Sequence, residues 1–284
     1  MPRLSADHSA SNTQHPPLFW RDPALPFLEI RTVQDGRKVC YARHSHAHFS
    51  IGAITGGISS YLNEQRRHEV TGGAVVLMNP GEVHACNPLA NQPWSYHMLY
   101  VNTCWLADVQ YEIGLNANRD FHCFHPRLSL DGGLYRGLLQ LVSVCQDKTV
   151  ATLGRQEAAQ AFFVDLQRHV QPASREETGP HQRLQLLVDY LHAHCTDDIT
   201  LSDLCAASAL SASYLIRAFR QRYHMTPHAF LLNCRIQHSQ QLLRRGQPIA
   251  QVAQELGFAD QAHFQRTFKR LVAATPGQYS RSSS

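Results

Sequence analysis

The chain has 284 residues, of which 43% are apolar and 17% charged, and this composition is typical of a folded globular protein rather than a disordered one. Its length allows two domains, and no stretch is long and apolar enough to predict a membrane span. The net charge of +4 is unevenly distributed, since residues 1–180 contain 15 Lys and Arg against 16 Asp and Glu, whereas residues 181–284 contain 11 against 6. A basic C-terminal part suits a nucleic-acid partner, although a solvated surface carries a similar surplus.

The cysteines and the N-terminus indicate where the protein works. The eight cysteines form no C-x-x-C pair, and Cys145, Cys205 and Cys234 lie in apolar runs, where a free thiol behaves as a small hydrophobe. Residues 1–18 are polar and lack the apolar core of a signal peptide. We therefore expect a reducing, cytoplasmic location and a disordered tail over residues 1–18.

The first half of the chain contains short β-like runs separated by turn signals such as Asp35-Gly36 and Gly56-Gly57. Many short strands at close spacing favour a small antiparallel barrel or sandwich. The predicted strands are Phe27–Val33, Lys38–Arg43, Phe49–Thr55, Ile58–Leu62, Ala74–Met78 and Ser95–Val101.

Histidines in this half follow a recognisable layout. His44, His46 and His48 alternate, so that on a strand they would share one face, and His84 ends the run Asn79-Pro80-Gly81-Glu82-Val83-His84. This layout resembles the two motifs of the cupin barrel.

In metal-binding cupins a Glu shortly after the first histidine pair completes the ligand set. Residues 49–52 of this chain, where that Glu is expected, are Phe, Ser, Ile and Gly. The resemblance therefore supports the barrel fold rather than a metal site, and we expect no metal and no other cofactor.

A ligand site is the functional interpretation of these histidines. Polar groups that converge on an aromatic wall are the usual composition of such a site, and the alternative is that the histidines only hold loops at the barrel mouth. The predicted ligand-binding residues, at the mouth of the barrel, are His44, His46, His84, Trp94 and Tyr96.

Two helices with apolar spacing follow the barrel, and we expect them to pack against it or against a second subunit. The first carries Leu134, Leu138 and Leu141, and the second carries Phe162 and Leu166. Residues 171–181 are polar, contain Pro and Gly and show no periodicity, which is typical of a linker. The predicted organisation is an effector-binding and dimerisation domain over residues 19–170, this linker, and a second domain over residues 182–284.

The region from Thr200 to Tyr279 contains one unit twice. Each copy has a short amphipathic helix, a small or turn residue, a second helix with a basic outer face, and a closing Thr-Pro. The offset between copies is 48 residues before the turn and 49 after it (253 − 205 and 266 − 217), a length change that a turn tolerates. Two helices joined by a short turn predict a helix-turn-helix, and a helix from Pro227 to Arg245 would hold the two copies at fixed spacing.

The outward faces of the two predicted recognition helices carry cationic or hydrogen-bonding side chains at matching positions. Arg217 and Arg266 occupy equivalent positions and suit contacts with guanine edges or phosphate. Tyr214 in the first copy is replaced by His263 at the equivalent position of the second, which predicts that the two copies read different sequences and that the half-site is asymmetric. The predicted DNA-binding residues are Ser213, Tyr214, Arg217, Arg220, Ala262, His263, Arg266 and Lys269.

The run Gly257-Phe258-Ala259-Asp260, the pattern Phe264-x-Arg266-x-Phe268-Lys269 and the closing Thr275-Pro276-x-x-Tyr279 resemble the signature of the AraC/XylS family of transcriptional regulators. The resemblance implies an N-terminal all-β cupin-like barrel with appended helices and a C-terminal all-α double helix-turn-helix. It also implies a homodimer that binds double-stranded promoter DNA, responds to a small-molecule effector and activates transcription through RNA polymerase, with no enzymatic activity and no membrane partner.

Two other functions are compatible with the same residues. The first is a metal-dependent cupin enzyme that uses His44, His46 and His84, against which the missing Glu and the attached DNA-binding half both count. The second is a ligand-independent regulator whose barrel serves only as a dimerisation scaffold.

Overall fold

The computed structural model describes residues 16–90, 92–170 and 182–281. An N-terminal antiparallel β-structure with three helices is followed by an all-helical C-terminal half, which confirms the predicted fold class. The predicted linker, residues 171–181, lies outside the described residues, as do residues 1–15 of the predicted tail.

Eight strands build the N-terminal domain within the residues that the structure describes. The third strand is the longest and pairs with four others, because its first half contributes to one sheet and its second half to another. The main sheet has the order β1-β2-β7-β3-β5-β8, and β4 and β6 flank the far end of β3. The strands are β1 Leu18–Arg21, β2 Leu28–Val33, β3 Phe49–Asn63, β4 Arg66–Thr71, β5 Val75–Met78, β6 His84–Pro88, β7 Trp94–Val101 and β8 Leu128–Ser129.

Strand β7 shows how alternation places residues on the two faces of the main sheet. Trp94, Tyr96 and Met98 face the barrel interior and join its apolar core. Leu99 and Val101 face the other side, where the helices of the domain pack. Alternate residues of this one strand therefore pack into the barrel interior and against the helices.

Three sequence predictions in this domain were wrong in detail. Residues 38–43 form no strand. The predicted turn at Gly56-Gly57 is instead a bulge within β3, where the pairing with β7 shifts between Ile54 and Gly56. The predicted tail was placed one residue too far, because Leu18 already pairs with Thr32 in the sheet.

The three helices of the N-terminal domain cover the outer face of the sheet. They are α1 Thr103–Glu112, α2 Gly132–Gln146 and α3 Thr152–His169. Leu134, Leu138 and Leu141 of α2, together with Phe162 and Leu166 of α3, are buried in the core that this face shares with the sheet. The predicted packing against the barrel within one chain is confirmed, and α1 was not predicted.

Seven helices form the C-terminal half in the described part of the chain, and four of them begin at a residue whose side chain caps the helix. Thr200 and Asp203 form a capping box at the start of α5, and the side chain of Asp260 accepts from the backbone of His263 at the start of α9. Gly246, with φ +80°, follows the end of α7. The helices are α4 Gln182–Ala193, α5 Leu201–Ser208, α6 Ala212–Tyr223, α7 Pro227–Arg244, α8 Ile249–Glu255, α9 Gln261–Val272 and α10 Pro276–Ser280.

These helices form two DNA-binding units, which we call the first unit (α5 and α6) and the second unit (α8 and α9). Leu215 and Phe219 anchor the core of the first unit, while Phe264 and Phe268 anchor that of the second. Helix α7 contributes to both cores. No helix in the described part of the chain is long and apolar enough to cross a membrane.

Candidate effector cavity and DNA-binding surfaces

All five residues predicted to bind a ligand line one small cavity, which we call the barrel cavity. His84, Trp94 and Tyr96 are buried inside the barrel, at 4%, 2% and 2% exposure, whereas His44 and His46 are half-buried. Sequence reasoning missed the other residues that line it, which are Tyr41, Ile54, Met78, Cys86, Met98 and Tyr100.

The three histidines meet although they come from a loop and a separate strand. A backbone bridge between His44 and His84 brings the two segments together. The ring of His84 then lies 4.4 Å from that of His44 and 4.7 Å from that of His46, measured between centroids. His48 lines a different cavity, so only the first two of the three alternating histidines join His84.

Hydrogen bonds fix the orientation of each ring. Nδ1 of His44 lies 2.9 Å from the Ala42 carbonyl, Nδ1 of His46 lies 2.9 Å from the His48 carbonyl, and Nδ1 of His84 lies 2.8 Å from the Glu82 carbonyl. Because a carbonyl oxygen only accepts, each Nδ1 carries the hydrogen, and in the neutral ring Nε2 is an acceptor.

Burial keeps these rings neutral. Desolvation, with a contribution from His46, lowers the pKa of His44 to about 3, and desolvation together with His44 lowers the pKa of His84 to about 3. The pKa of His46 is also lowered, first by burial and then by His84. Ser50 Oγ donates to Nε2 of His46 at 3.3 Å. The cavity therefore presents hydrogen-bond acceptors rather than cations.

The opposite wall of the barrel cavity is aromatic. The rings of Trp94 and Tyr96 stack with centroids 4.6 Å apart, and Trp94 Nε1 donates to the Gly36 carbonyl at 2.8 Å. The hydroxyls of Tyr41 and Tyr96 lie 2.8 Å apart. Among the described residues, no group of three or more His, Cys, Asp and Glu side chains is arranged to hold a metal ion. The wall of the cavity therefore combines the neutral histidines with aromatic rings.

A second cavity, the interdomain cavity, lies between the barrel and the C-terminal half. It shares four lining residues with the barrel cavity, which are Tyr41, His44, His46 and Tyr100. The DNA-binding half contributes Asn233, Ile236, Gln237, Gln240, Arg244, Leu271, Val272 and Tyr279. The two cavities therefore share a wall.

Arg31 of β2 connects this wall to the second unit. Its side chain is buried, and its guanidinium donates to the Val272 carbonyl at 2.5 Å and to the Ala273 carbonyl at 3.1 Å. These carbonyls lie at the C-terminal end of α9, where the last turn of a helix lacks partners of its own. The backbone N–H of Ala42 adds a 2.9 Å bond to the Arg270 carbonyl. The barrel thus caps the end of α9.

A second set of polar contacts joins the barrel to α10 and α7. Tyr279 donates its hydroxyl to Glu29 at 3.3 Å, and Arg21 donates to the Tyr279 carbonyl at 2.9 Å. Arg21 also pairs with Glu29 at 2.6 Å. On α7, the amide of Asn233 donates to the Ser45 carbonyl at 3.0 Å. The barrel therefore contacts α10 and α7 through polar groups, and Glu29 on the barrel side of this interface is buried.

The eight predicted DNA-binding residues lie on the outer faces of α6 and α9. The side chain of His263 is half-buried and the other seven are exposed. Arg217 lies 5.8 Å from the centroid of the Tyr214 ring, which orients both side chains on the surface of α6. The contacts from the barrel reach the end of α9 and leave its predicted DNA face open.

Comparisons with known proteins agree with both halves. Residues 29–163 match the family described as an AraC-like ligand binding domain, and residues 204–282 match a helix-turn-helix domain. The chain belongs to the AraC family. It is a DNA-binding transcriptional regulator with a ligand-binding N-terminal domain.

Some transcriptional regulators match this chain over most of their length. This AraC-family chain is 23% identical over 241 residues to the uncharacterized HTH-type transcriptional regulator YbfI of Bacillus subtilis, covering 84% of the chain and 86% of the relative. It is 25% identical to the HTH-type transcriptional activator RhaR of Enterobacter sp., covering 84% of the chain and 86% of the relative.

A solved structure shows the same fold. The apo form of a ToxT variant from Vibrio cholerae superposes with a TM-score of 0.59 at 15% identity, covering 89% of this AraC-family chain and 97% of ToxT. Another ToxT structure, with a TM-score of 0.55 at 14% identity, covers 89% of the chain and 94% of ToxT and contains an unsaturated fatty acid. The arrangement of barrel and double helix-turn-helix is therefore shared at low sequence identity.

Proposed function

We propose that this regulator activates transcription when a small molecule occupies the barrel cavity. Arg217 and Arg266 contact DNA from the first and second units, and His44, His46, His84, Trp94 and Tyr96 bind the effector. The observation that carries the proposal is Arg31, which lies next to the barrel cavity and also caps the end of the second recognition helix.

The coupling follows from how Arg31 is held. Its guanidinium lies 5.3 Å from the centroid of the Tyr41 ring, and Tyr41 lines both cavities. Its Nε is buried and has no hydrogen-bond partner among the described residues. A ligand oxygen that reaches Nε can therefore accept a hydrogen bond from it. The guanidinium of Arg31 contacts both Tyr41 at the cavity wall and the carbonyls at the end of α9. An effector that moves Tyr41 or binds Arg31 therefore changes how α9 is held.

The chemistry of the cavity limits the effector. In the barrel cavity His44 and His84 offer neutral Nε2 acceptors and Trp94 offers an apolar face, and Arg31 offers a donor in the adjoining interdomain cavity. Because an unpaired buried polar group is costly, a good effector satisfies these groups with hydroxyl or amide groups of its own. We therefore propose a small polar organic molecule rather than a long hydrocarbon.

A thermal-shift screen of small metabolites against the full-length protein tests this proposal. We expect a hit to raise the melting temperature and to change operator affinity, and His46→Ala to abolish both responses. His68→Ala, a histidine of β4 outside both cavities, is the matched control and should respond normally. A hit that stabilises wild type and His46→Ala equally would place the effector elsewhere.

The partners beyond DNA are part of the same proposal. We propose that the regulator acts in the cytoplasm as a homodimer, contacts RNA polymerase and has no enzymatic activity. Light scattering with and without effector tests the dimer, and transcription in vitro with purified polymerase tests activation. A stoichiometric iron or manganese content in the purified protein would favour the cupin-enzyme alternative instead, and a barrel that binds no metabolite would favour the scaffold alternative.

A further inference from the structure

Arg235 lies in the middle of α7 and is a buried cation held by backbone carbonyls. The residue is 8% exposed. Its Nε donates to the Cys195 carbonyl at 2.7 Å, Nη2 to the Asp197 carbonyl at 2.8 Å and Nη1 to the Gly257 carbonyl at 2.6 Å. All three donor nitrogens of the guanidinium are thus engaged at short distance.

The three carbonyls come from two separate parts of the DNA-binding half. Cys195 and Asp197 lie in the segment that leads from α4 into the first unit, whereas Gly257 forms the turn between the two helices of the second unit. Gly257 has φ +67°, and a Cβ placed on it would lie 3.0 Å from Nη2 of Arg235 and 3.1 Å from the Thr196 carbonyl. The turn of the second unit therefore packs closely against the entry to the first.

Only a guanidinium fits this role. Its planar fork holds donors in fixed directions, whereas a Lys ammonium is a flexible point charge that cannot reach three separated carbonyls at once. We infer that Arg235 fixes the relative position of the two DNA-binding units and so sets the spacing between the two DNA segments that the protein recognises. This inference rests on the proposed DNA-binding faces of α6 and α9.

Spacing offers a sharp readout because DNA is a helix. Inserting one base pair between two segments moves them apart by about 3.4 Å and rotates one against the other by about 35°. Two rigidly held units lose contact at one segment after such a change, whereas two loosely held units adjust.

The experiment measures operator affinity as a function of spacing with the full-length protein. A site selected from random DNA is altered by −1, +1 and +2 base pairs between its two segments and tested with wild type, Arg235→Lys and the control Arg245→Lys, which changes an exposed arginine at the end of the same helix. We expect wild type and the control to lose at least tenfold in affinity for each altered site, and Arg235→Lys to lose threefold or less.

A loss of affinity that is equal at all spacings would overturn the inference, since general destabilisation lowers binding without changing spacing preference. Wild type that tolerates all spacings would overturn it as well. Gly257→Asn is a second variant, because Asn tolerates positive φ but adds a Cβ against Arg235, and it should also weaken the spacing preference if Arg235→Lys does not fold.

The inference and the proposed DNA faces fail in different ways. If Arg217→Ala and Arg266→Ala bind normally while spacing preference still depends on Arg235, the DNA faces are wrongly assigned. If both weaken binding while Arg235→Lys keeps the spacing preference of wild type, the role of Arg235 is overturned.

Discussion

The two DNA-binding units have similar helices but different relations to the barrel. The second unit is held through the backbone at the end of α9 by Arg31 and Ala42, and through Tyr279 of the neighbouring α10 by Arg21 and Glu29. The barrel meets the first unit through an apolar contact, in which Val83 joins the core that contains Leu215. Because the polar hydrogen bonds to the second unit are directional, we expect a change in the barrel to act first on that unit.

Removing the central contact should have the largest effect. Arg31→Leu deletes two charge-assisted hydrogen bonds and leaves the carbonyls at the end of α9 unpaired, so we expect a loss of about 3–5 kcal/mol of unfolding free energy. Chemical denaturation measures it, and calorimetry should show the DNA-binding half melting separately from the barrel. A single transition at the wild-type midpoint would show that this contact does not join the two halves. Arg136→Leu, on α2, is the surface control.

The recognition arginines should show smaller effects that distinguish the two units. Arg217→Ala and Arg266→Ala should each cost about 1–3 kcal/mol in operator binding if they contact bases. Fluorescence anisotropy with and without effector separates them further, since the effector should alter the cost at Arg266 more than at Arg217. Equal responses of both variants to effector would argue against selective control of the second unit.

Low pH should weaken the barrel more than the DNA-binding half. The folded pKa values of His44 and His84, about 3, lie below the usual value of 6.5, so the unfolded chain binds more protons between these limits and stability is lost as pH falls. The expected slope is about 1.4 kcal/mol per pH unit for each histidine once the pH is below 6.5.

Denaturation of the full-length protein at pH 7.5, 6.0 and 5.0 measures this slope. In His84→Gln the slope should fall by about 1.4 kcal/mol per pH unit, which is the contribution of one proton. His228→Gln, which changes an exposed residue of α7, should keep the wild-type slope. A slope that His84→Gln leaves unchanged would show that other groups cause the pH dependence.

The smallest effect is expected from the single hydrogen bond between Tyr279 and Glu29. Tyr279→Phe removes one hydrogen bond to Glu29 at 3.3 Å and should cost about 0.5–1.5 kcal/mol of stability. Tyr214→Phe, a half-exposed residue of the first unit, should stay within about 0.5 kcal/mol of wild type. Thermal melting compares the stability of the two variants. A larger loss of stability in Tyr214→Phe than in Tyr279→Phe would contradict the expectation that the barrel holds the second unit more firmly than the first.

Local patterns were sufficient to predict much of the structure. Helix periodicity and capping residues such as Thr200 and Asp260 located the helices of both units, because these signals involve neighbours in the chain. The five ligand residues were brought together as expected, because β7 alternates and the motif that ends at His84 forms a bridge to His44. The same alternation from Tyr96 to Met98 and Tyr100 would also have identified Tyr100 as a lining residue.

Long-range contacts could not be predicted in the same way. Glu29 and Arg31 alternate with Leu28 and Ile30, a pattern typical of a strand with one solvated face. In the structure that face is covered by the DNA-binding half, so Arg31 is 1% exposed and Glu29 is 7% exposed. Nothing in residues 28–33 encodes the partner more than 200 residues away, and for this reason the coupling contact was missed.

The cap on α9 has a consequence for how such a regulator can change its target genes. The bonds from Arg31 and Ala42 to the end of α9 go to backbone carbonyls, at residues 270, 272 and 273, and do not depend on the side chains that α9 carries on its outer face. We therefore expect substitutions at Ala262 or Arg266 to alter the preferred operator without disturbing the attachment to the barrel. On this basis we expect specificity for DNA and responsiveness to a ligand to be separable traits, so that a new recognition helix can be exchanged into this architecture without redesign of the sensor.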